Sequence, residues 1–354
     1  MPVKSTPSIR PARPLPVAGP LLALLLSLAL TPPALAHRPD MHAPIRLMGD
    51  HAHHKGKWML SYRAMHMAMD ENLDGNRPLS PAQILDPAQS NYLVAPQKMT
   101  MQMHMLGLMY APTERLTLMG MANYQDMSMD HQARNGLRFT TGSSGLGDTR
   151  IGGTYRLHQQ GGAQWLLNLG LSLPTGSIDK TDTVPPINPE SPAQLPFPMQ
   201  LGSGTHDLLP GLTYRRMHPT RSWGAQASAR LRLDSNSNGY RPGHRYQLTA
   251  WHAWPLRPNL SLSARLGLQR WGNYSDRDRR QPLPLFNVTA NANTVPTVNP
   301  SLRAGKQADI ALGTNIVWGT HRLAAELSHP FWHDLQGPQL AENLNFTLGY
   351  QHSF

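Results

Sequence analysis

Several features common in folded proteins are missing from this sequence of 354 residues. It has no cysteine, so it forms no disulfide, and cysteine usage carries no information about its redox compartment. After the first 40 positions it has no run of about 18 apolar residues, which excludes a membrane-spanning helix from the rest of the chain. It also has no phosphate loop, zinc-ligand spacing or paired-carboxylate motif, and we predict that it is not an enzyme.

The net charge is +11, but a basic helix, an aromatic-basic platform and a nucleic-acid-binding motif are also missing. We therefore predict no nucleic-acid partner. The excess arginine is better explained by loops and by the inner surface of a barrel.

The first 36 residues have the three parts of an export signal. Three basic residues precede position 14, residues 21–30 form a short apolar core, and Ala34-Leu35-Ala36 is a small-x-small cleavage motif. The apolar core is too short to anchor the chain in a bilayer. We predict a mature chain that begins at His37.

Apolar and polar residues alternate along most of the mature sequence, as in strands with one apolar face. The C-terminal segment shows this most clearly, with Leu344, Phe346 and Leu348 on one face and polar residues between them. The predicted strands are 57–69, 99–110, 116–129, 146–157, 164–173, 205–215, 223–233, 244–254, 260–270, 306–318, 322–329 and 343–354.

The predicted connections alternate between short and long. Short turns are expected at 111–115, 158–163, 216–222, 255–259 and 319–321, and mostly longer loops at 70–98, 130–145, 174–204, 234–243, 271–305 and 330–342. A transmembrane barrel sorts its loops in this way, because its periplasmic turns are short and its outer loops are long. The sequence predicts an all-β fold, a monomeric transmembrane antiparallel β-barrel of about 12 strands in the bacterial outer-membrane bilayer.

Aromatic residues lie near the ends of the predicted strands, where barrels carry girdles at the membrane surfaces. They are Trp58, Tyr110, Tyr155, Tyr214, Trp223, Trp254, Trp318 and Phe354. A terminal phenylalanine after such a strand resembles the signal read by the barrel-assembly machinery, which we expect to be a partner. The predicted organisation is a signal peptide over 1–36, a His/Met-rich segment and candidate plug over 37–56, and the barrel over 57–354.

Six segments together resemble the MetA-pathway phenol-degradation family of outer-membrane proteins, whose members are described only as transporters. They are Leu116-Thr117-Leu118-Met119, Gly145-Leu146-Gly147-Asp148, Leu171 to Ser177, Leu201 to Gly211, Gly239 to Gly243 and Gly337-Pro338-Gln339. The resemblance implies a barrel in the outer membrane and provides no catalytic residues.

Methionine is concentrated in one part of the chain, where 15 of the 18 methionines lie between Met41 and Met129. Thioether sulfur suits Cu(I) and imidazole suits Cu(II), so a Met/His track in the lumen is a candidate copper or silver site, with copper as the candidate cofactor. The candidate ligands are His37, Met41, His42, Met48, His51, His53, His54, Met65, His66, Met67, Met101, Met103, His104, Met105, Met119, Met121, Met127 and Met129. The alternative is that methionine fills an irregular lumen or faces lipid.

The positions of charged residues within the strands predict a charged inner surface. The residues are Arg63, Arg150, Arg230, Arg232, Arg245, Arg265, Asp148, Asp309 and Glu326. Arginine rings favour anions in an open pore, whereas ion pairs would close the interior of a small barrel. The sequence leaves both alternatives open.

One short run is similar to the nucleophile motif of the outer-membrane phospholipase. It is Asn236-Ser237-Asn238-Gly239, but Ser235 occupies the position of the motif's histidine. Without a general base the serine is a weak nucleophile, and the run is typical of a turn. We predict a passive pore or transporter for a small organic compound, aromatic or hydrophobic. The alternative function is copper or silver handling.

Overall fold

A computed structural model describes residues 38–185, 188–281, 286–287, 292–293 and 295–354. The predicted export signal and His37 lie outside these residues. Among the described residues, no helix combines the length and the apolar character needed to cross a bilayer.

The chain is built almost entirely of strands. They are β1 (Trp58–Gly75), β2 (Arg77–Leu79), β3 (Val94–Tyr110), β4 (Leu116–Ala133), β5 (Arg138–Leu146), β6 (Thr149–Gln160), β7 (Ala163–Leu173), β8 (Thr181–Val184), β9 (Asn188–Gln194), β10 (Asp207–His218), β11 (Arg221–Arg232), β12 (Arg245–Arg257), β13 (Leu260–Trp271), β14 (Phe286–Asn287), β15 (Ala292–Asn293), β16 (Gly305–Trp318) and β17 (His321–Ser353). One short helix, α1 (Pro81–Ile84), and four 3-10 turns (Pro39–Met41, Phe197–Met199, Pro296–Val298 and Pro300–Leu302) complete the described elements.

The main sheet closes on itself. Its order is β1-β3-β4-β6-β7-β10-β11-β12-β13-β16-β17, every neighbouring pair is antiparallel, and β17 pairs again with β1. β2 pairs with β1, and β5 pairs with β4, outside this ring. The predicted transmembrane antiparallel barrel is confirmed.

The last element, β17, forms two successive strands of the barrel and so crosses the membrane twice. Residues 321–335 pair with β16, and residues 335–353 pair with β1. The two halves also bond to each other, since the main-chain N–H of Ser353 donates to the carbonyl of Thr320 at 2.9 Å, and His329 Nδ1 lies 2.7 Å from the carbonyl oxygen of Asn343. Eleven strand elements therefore make twelve passes, which agrees with the predicted number of strands.

Two predicted loops are wrong because strands continue above the membrane. Residues 330–342 are extended and bond to both neighbouring strands, and residues 130–145 form a hairpin of β4 and β5. β1 and β4 each have 18 residues, whereas a tilted strand needs about 9–11 to cross a bilayer. Above the membrane neither face touches lipid, so the alternation that marks a transmembrane strand is lost.

The outer surface carries an exposed band of large apolar side chains. Leu169, Leu248 and Leu312 expose 55%, 57% and 69% of their surface, far beyond what a water-facing sheet tolerates over many neighbouring positions. At the turn-bearing end Trp58 stacks on Tyr110, with ring centroids 4.4 Å apart, and Trp223, Trp254 and Phe354 are also exposed. The band faces lipid, and these rings lie where a barrel meets the periplasmic surface.

Loop residues fold over the opposite mouth of the barrel. Leu195, Met199 and Leu201 are buried against Met99, Met127 and Met129 of the wall. Asp278 ties two loops together by accepting hydrogen bonds from Gln194 Nε2 at 3.0 Å and from the main chain of Arg280. Burial raises the pKa of the Asp278 carboxyl.

The exposed band predicts the effect of a charge on the lipid side. Leu266 lies near the middle of β13 and is 45% exposed, so Leu266→Arg should destabilise the folded barrel by about 2–4 kcal/mol in urea unfolding from lipid vesicles. Met103→Arg is the matched control, because Met103 lines the interior. An equal loss for both variants contradicts the assignment of the two faces.

Candidate solute site inside the barrel

Most of the N-terminal segment (residues 38–56) lies inside the periplasmic half of the barrel, and its last three residues are exposed. Its carbonyl oxygens accept hydrogen bonds from lumenal side chains, including Gly49 O from Asn168 Nδ2 at 3.2 Å and Met48 O from Gln226 Nε2 at 2.8 Å. The main-chain N–H of His53 donates to Thr117 Oγ1 at 2.9 Å. The segment therefore makes contacts with strands from several parts of the wall.

Three arginines secure this segment. Arg215 Nη1 donates to the carbonyls of Met41 and Asp50, each at 3.1 Å. Arg322 Nη2 donates to the carbonyl of Ala43 at 2.8 Å. Arg46 of the segment donates in turn to Ser328 Oγ at 2.6 Å. Guanidinium groups suit this role, because they offer several fixed donors to neighbouring carbonyls.

Above the segment is an interior cavity of about 590 Å³. One side is a methionine wall contributed by β1, β3 and β4. Its residues are Met65, Met67, Met69, Met99, Met101, Met103, Met105, Met121 and Met129. Strand pairing aligns them, since Met101 is opposite both Met67 and Met127, and Met99 is opposite both Met69 and Met129.

The structure does not bring the two predicted strand imidazoles, those of His66 and His104, to this wall. His66 and His104 occupy the alternate positions of β1 and β3, between residues that line the cavity, so they are on the outer side. His104 Nδ1 lies 2.7 Å from the hydroxyl of Tyr62. The predicted joint track of methionine and strand histidine is therefore not formed.

The remaining candidate ligands lie in four places. Met119 lines a second cavity of about 320 Å³ around Met48 of the N-terminal segment, and Met127 is buried under the extracellular loops. His54 is exposed, with its Nδ1 3.1 Å from Glu114 Oε2. His42 and His51 lie together with Asp50 in the N-terminal segment.

Opposite the methionine wall is a guanidinium wall made by Arg230, Arg232 and Arg245 on β11 and β12, about half-way around the ring from β1 and β3. Arg150 on β6 extends it beside Met121, its partner in the strand register. Arg150 Nε is buried and has no hydrogen-bond partner among the described residues. Arg245 lies over the ring of Trp271, 5.3 Å from its centroid.

Acidic residues neutralise only part of this wall. Asp207 is fully buried and 2.5 Å from Arg232 Nη1, with Arg230 Nε at 3.9 Å. Asp148 instead accepts hydrogen bonds from the hydroxyl of Ser203 at 2.7 Å and from loop main-chain groups. The cavity therefore has more positive than negative groups on this side, a surface that attracts anions.

A buried ion-pair triad lies lower in the lumen. Arg265 Nη2 is 2.7 Å from Asp309 Oδ2 and 2.9 Å from Glu326 Oε1, and all three side chains expose at most 3% of their surface. Arg63 is also lumenal, and it donates to the sulfur of Met48. All nine charged residues predicted to line the interior thus lie inside the barrel, and the triad is their closed, ion-paired part.

Sequence reasoning missed two groups at this site. Asp207 begins β10 and pairs with the guanidinium wall, and Arg46 belongs to the N-terminal segment but lines both cavities. The position of Asp207 in the predicted strand 205–215 was a usable signal. That of Arg46 was not, because its segment has no periodic pattern.

Two ionisable side chains of the N-terminal segment, Asp50 and His42, have shifted pKa values. Burial raises the pKa of Asp50, but the charge and hydrogen bond of His51 outweigh it and hold that pKa well below its usual range. Burial, together with the positive charge of Arg322, lowers the pKa of His42 well below its usual range.

The run that is similar to the phospholipase motif is a turn. Asn236 Oδ1 accepts hydrogen bonds from the main-chain N–H groups of Asn238 and Tyr240, and Gly239 has a φ of +89°, which favours glycine.

The closed ring, the lipid-facing band and the lined lumen define an outer-membrane β-barrel. The family described as "Putative MetA-pathway of phenol degradation" matches residues 84–276, more than half of the chain, and the chain belongs to this family. No curated protein matches the chain.

Solved structures support the fold. The COG4313 outer membrane channel from Pseudomonas putida F1 is similar with a TM-score of 0.59 and 16% identity, over 86% of this chain and 98% of that chain. The translocator domain of autotransporter NalP from Neisseria meningitidis has a TM-score of 0.43 and 12% identity, over 86% and 91%. The TodX monoaromatic hydrocarbon channel has a TM-score of 0.42 and 10% identity, over 86% and 91%. Only the first has a TM-score above 0.5, and at 16% identity it supports the fold alone.

The triad generates a stability prediction. Arg265→Gln leaves Asp309 and Glu326 buried without their cation, so unfolding in urea should show a loss of about 3–5 kcal/mol. Lys306→Gln is the control, because it breaks the exposed Lys306–Asp334 pair at 2.9 Å and should cost less than about 1 kcal/mol. Similar losses in the two variants count against the buried triad.

Proposed function

We propose that this protein is an outer-membrane channel for small aromatic compounds that carry a negative charge, such as aromatic carboxylates or phenolates. The observation that carries the proposal is the juxtaposition of a methionine wall and a guanidinium wall across one cavity of about 590 Å³. The phenol in the family's name agrees with an aromatic solute.

Each wall suits one part of such a solute. Thioether sulfur makes favourable contacts with aromatic rings, about 0.3–1.5 kcal/mol each, and a flexible Met surface adapts to different ring substituents. Guanidinium groups bind carboxylates or other oxyanions by charge-assisted hydrogen bonds. Of the arginines in this wall, Arg150 and Arg245 are the least paired with carboxylates. A solute with both parts engages both walls at once.

The N-terminal segment restricts passage. The second cavity lies between the two walls on one side and the periplasm on the other. The segment lines it with Arg46, Leu47, Met48 and Gly49. We propose that residues 38–56 act as a plug that solute passes only when the segment shifts. The barrel then works by facilitated diffusion, with binding in the cavity and no coupled energy source.

Copper handling by the predicted Met/His track is a weaker alternative, because its two strand histidines are separated from its methionines. The methionine wall faces the lumen, whereas His66 and His104 face outward. Part of the wall, Met99 and Met129, is covered by loop residues together with the neighbouring Met127, and acts as packing.

Single-channel recording in planar bilayers tests the proposal. Deleting residues 38–56 should raise conductance severalfold, because the segment occupies the periplasmic half of the lumen. The reversal potential under a KCl gradient should show preference for chloride, and benzoate should block the current at lower concentration than acetate does.

Variants separate the two walls. Arg150→Gln with Arg230→Gln should weaken the chloride preference and the benzoate block. Met103→Asn should weaken the benzoate block alone. Arg257→Gln is the control, since Arg257 is exposed at the end of β12 and should leave both unchanged. The proposal fails if the deletion variant does not conduct, or if it prefers potassium.

A further inference from the structure

A separate group of side chains lies in the N-terminal segment, away from the two walls. His42, Asp50 and His51 each offer one ligand atom, and these atoms all lie within 4.8 Å of one another. Asp50 is buried and the two histidines are half-buried, so the cluster is partly accessible. It lies at the level of the periplasmic turns, since the neighbouring residue His53 bonds to Thr117 at the start of β4.

The local geometry directs imidazole nitrogens into this cluster. The ring centroids of His42 and His51 are 5.0 Å apart, with the rings nearly perpendicular. His42 Nδ1 and His51 Nε2 are both buried and have no hydrogen-bond partner among the described residues. A buried polar nitrogen normally has a partner, so two such atoms in adjacent rings point to a missing ligand.

Asp50 orients one of the two rings. Its Oδ1 lies 2.9 Å from His51 Nδ1, and its Oδ2 accepts the main-chain N–H of Ala43 at 2.9 Å. A carboxylate on one ring nitrogen fixes the tautomer and leaves the other nitrogen available as a metal ligand. The same arrangement closes the loop from Ala43 to Asp50, so the ligands are held before any ion arrives.

We infer that His42 and His51, the latter oriented by Asp50, form a binding site for a divalent transition-metal ion of the zinc or copper(II) class. Ligands about 2.0–2.2 Å from a tetrahedral ion are about 3.3 Å from one another, so small side-chain rotations close the observed spacing. Two imidazole ligands suit such ions better than calcium or magnesium, which prefer oxygen ligands.

The positive charges around the cluster limit its affinity for a cation. Arg215 and Arg322 approach the same segment, and their positive charges oppose a bound cation. Both arginines donate hydrogen bonds to main-chain carbonyls. Asp50 supplies a negative charge that partly offsets their positive charges. A bound ion would connect residues 42 and 50–51, and so would rigidify the segment that fills the periplasmic mouth.

Titration of the full mature barrel in detergent with CuCl2 tests the inference, read by calorimetry and by the nitrogen coupling in the copper EPR spectrum. We expect one saturable site with two nitrogen ligands, weakened at least tenfold by His42→Gln or by His51→Gln. His54→Gln is the matched control, since His54 is exposed in the same segment. His37→Gln removes the imidazole of the predicted new N-terminal residue from the nitrogen count.

Two results overturn the site: no saturable binding below millimolar copper, or binding that persists in the variant carrying both His42→Gln and His51→Gln. The mobility shift on heating in gel electrophoresis verifies that each variant is a folded barrel. ZnCl2 competing with copper assigns the ion class, and a failure to compete also contradicts the inference. The bilayer experiments on the solute proposal are independent of these results, so either proposal can fail alone.

Discussion

The structure depends on one constraint, which is that every main-chain N–H and C=O in the bilayer core must find a partner within the protein. The chain meets it by pairing β17 back to β1, so that the ring has no free edge in the membrane. Closure in turn divides every pass into a side that touches lipid and a side that does not. Only on the inner side does the protein hold many arginines, methionines and a folded segment.

The same constraint explains which parts of the fold the sequence predicts. Where lipid covers one face, every second residue must be apolar, and residues such as Leu344, Phe346 and Leu348 mark the pass directly. Residues 130–145 and 330–342 are also paired, the latter with register shifts, but water surrounds them, and nothing selects an alternating pattern. The strand ends were therefore missed on the extracellular side, while the number of passes was predicted well.

The sequence predicts which side chains face the interior, but not which of them contact one another. Alternation places Arg150, Arg245 and Arg265 in the lumen. It also places His66 on the other face of β1 from its neighbours Met65 and Met67, a consequence that the metal hypothesis overlooked. It does not reveal that Arg265 lies between Asp309 and Glu326, because that contact joins three strands at a height fixed by the register. The path of residues 38–56 was equally hidden, since it follows hydrogen bonds from distant strands and has no period of its own.

Those hydrogen bonds have a consequence for biogenesis. Residues 38–56 are synthesised before any strand of the barrel, yet they are bonded to Arg215 and Gln226 in the middle of the chain and to Arg322 near its end. The earliest segment to arrive must wait for the latest strands before its binding surface exists. Docking of that segment is therefore a marker of a completed ring, and an unfinished barrel exposes it to the periplasm.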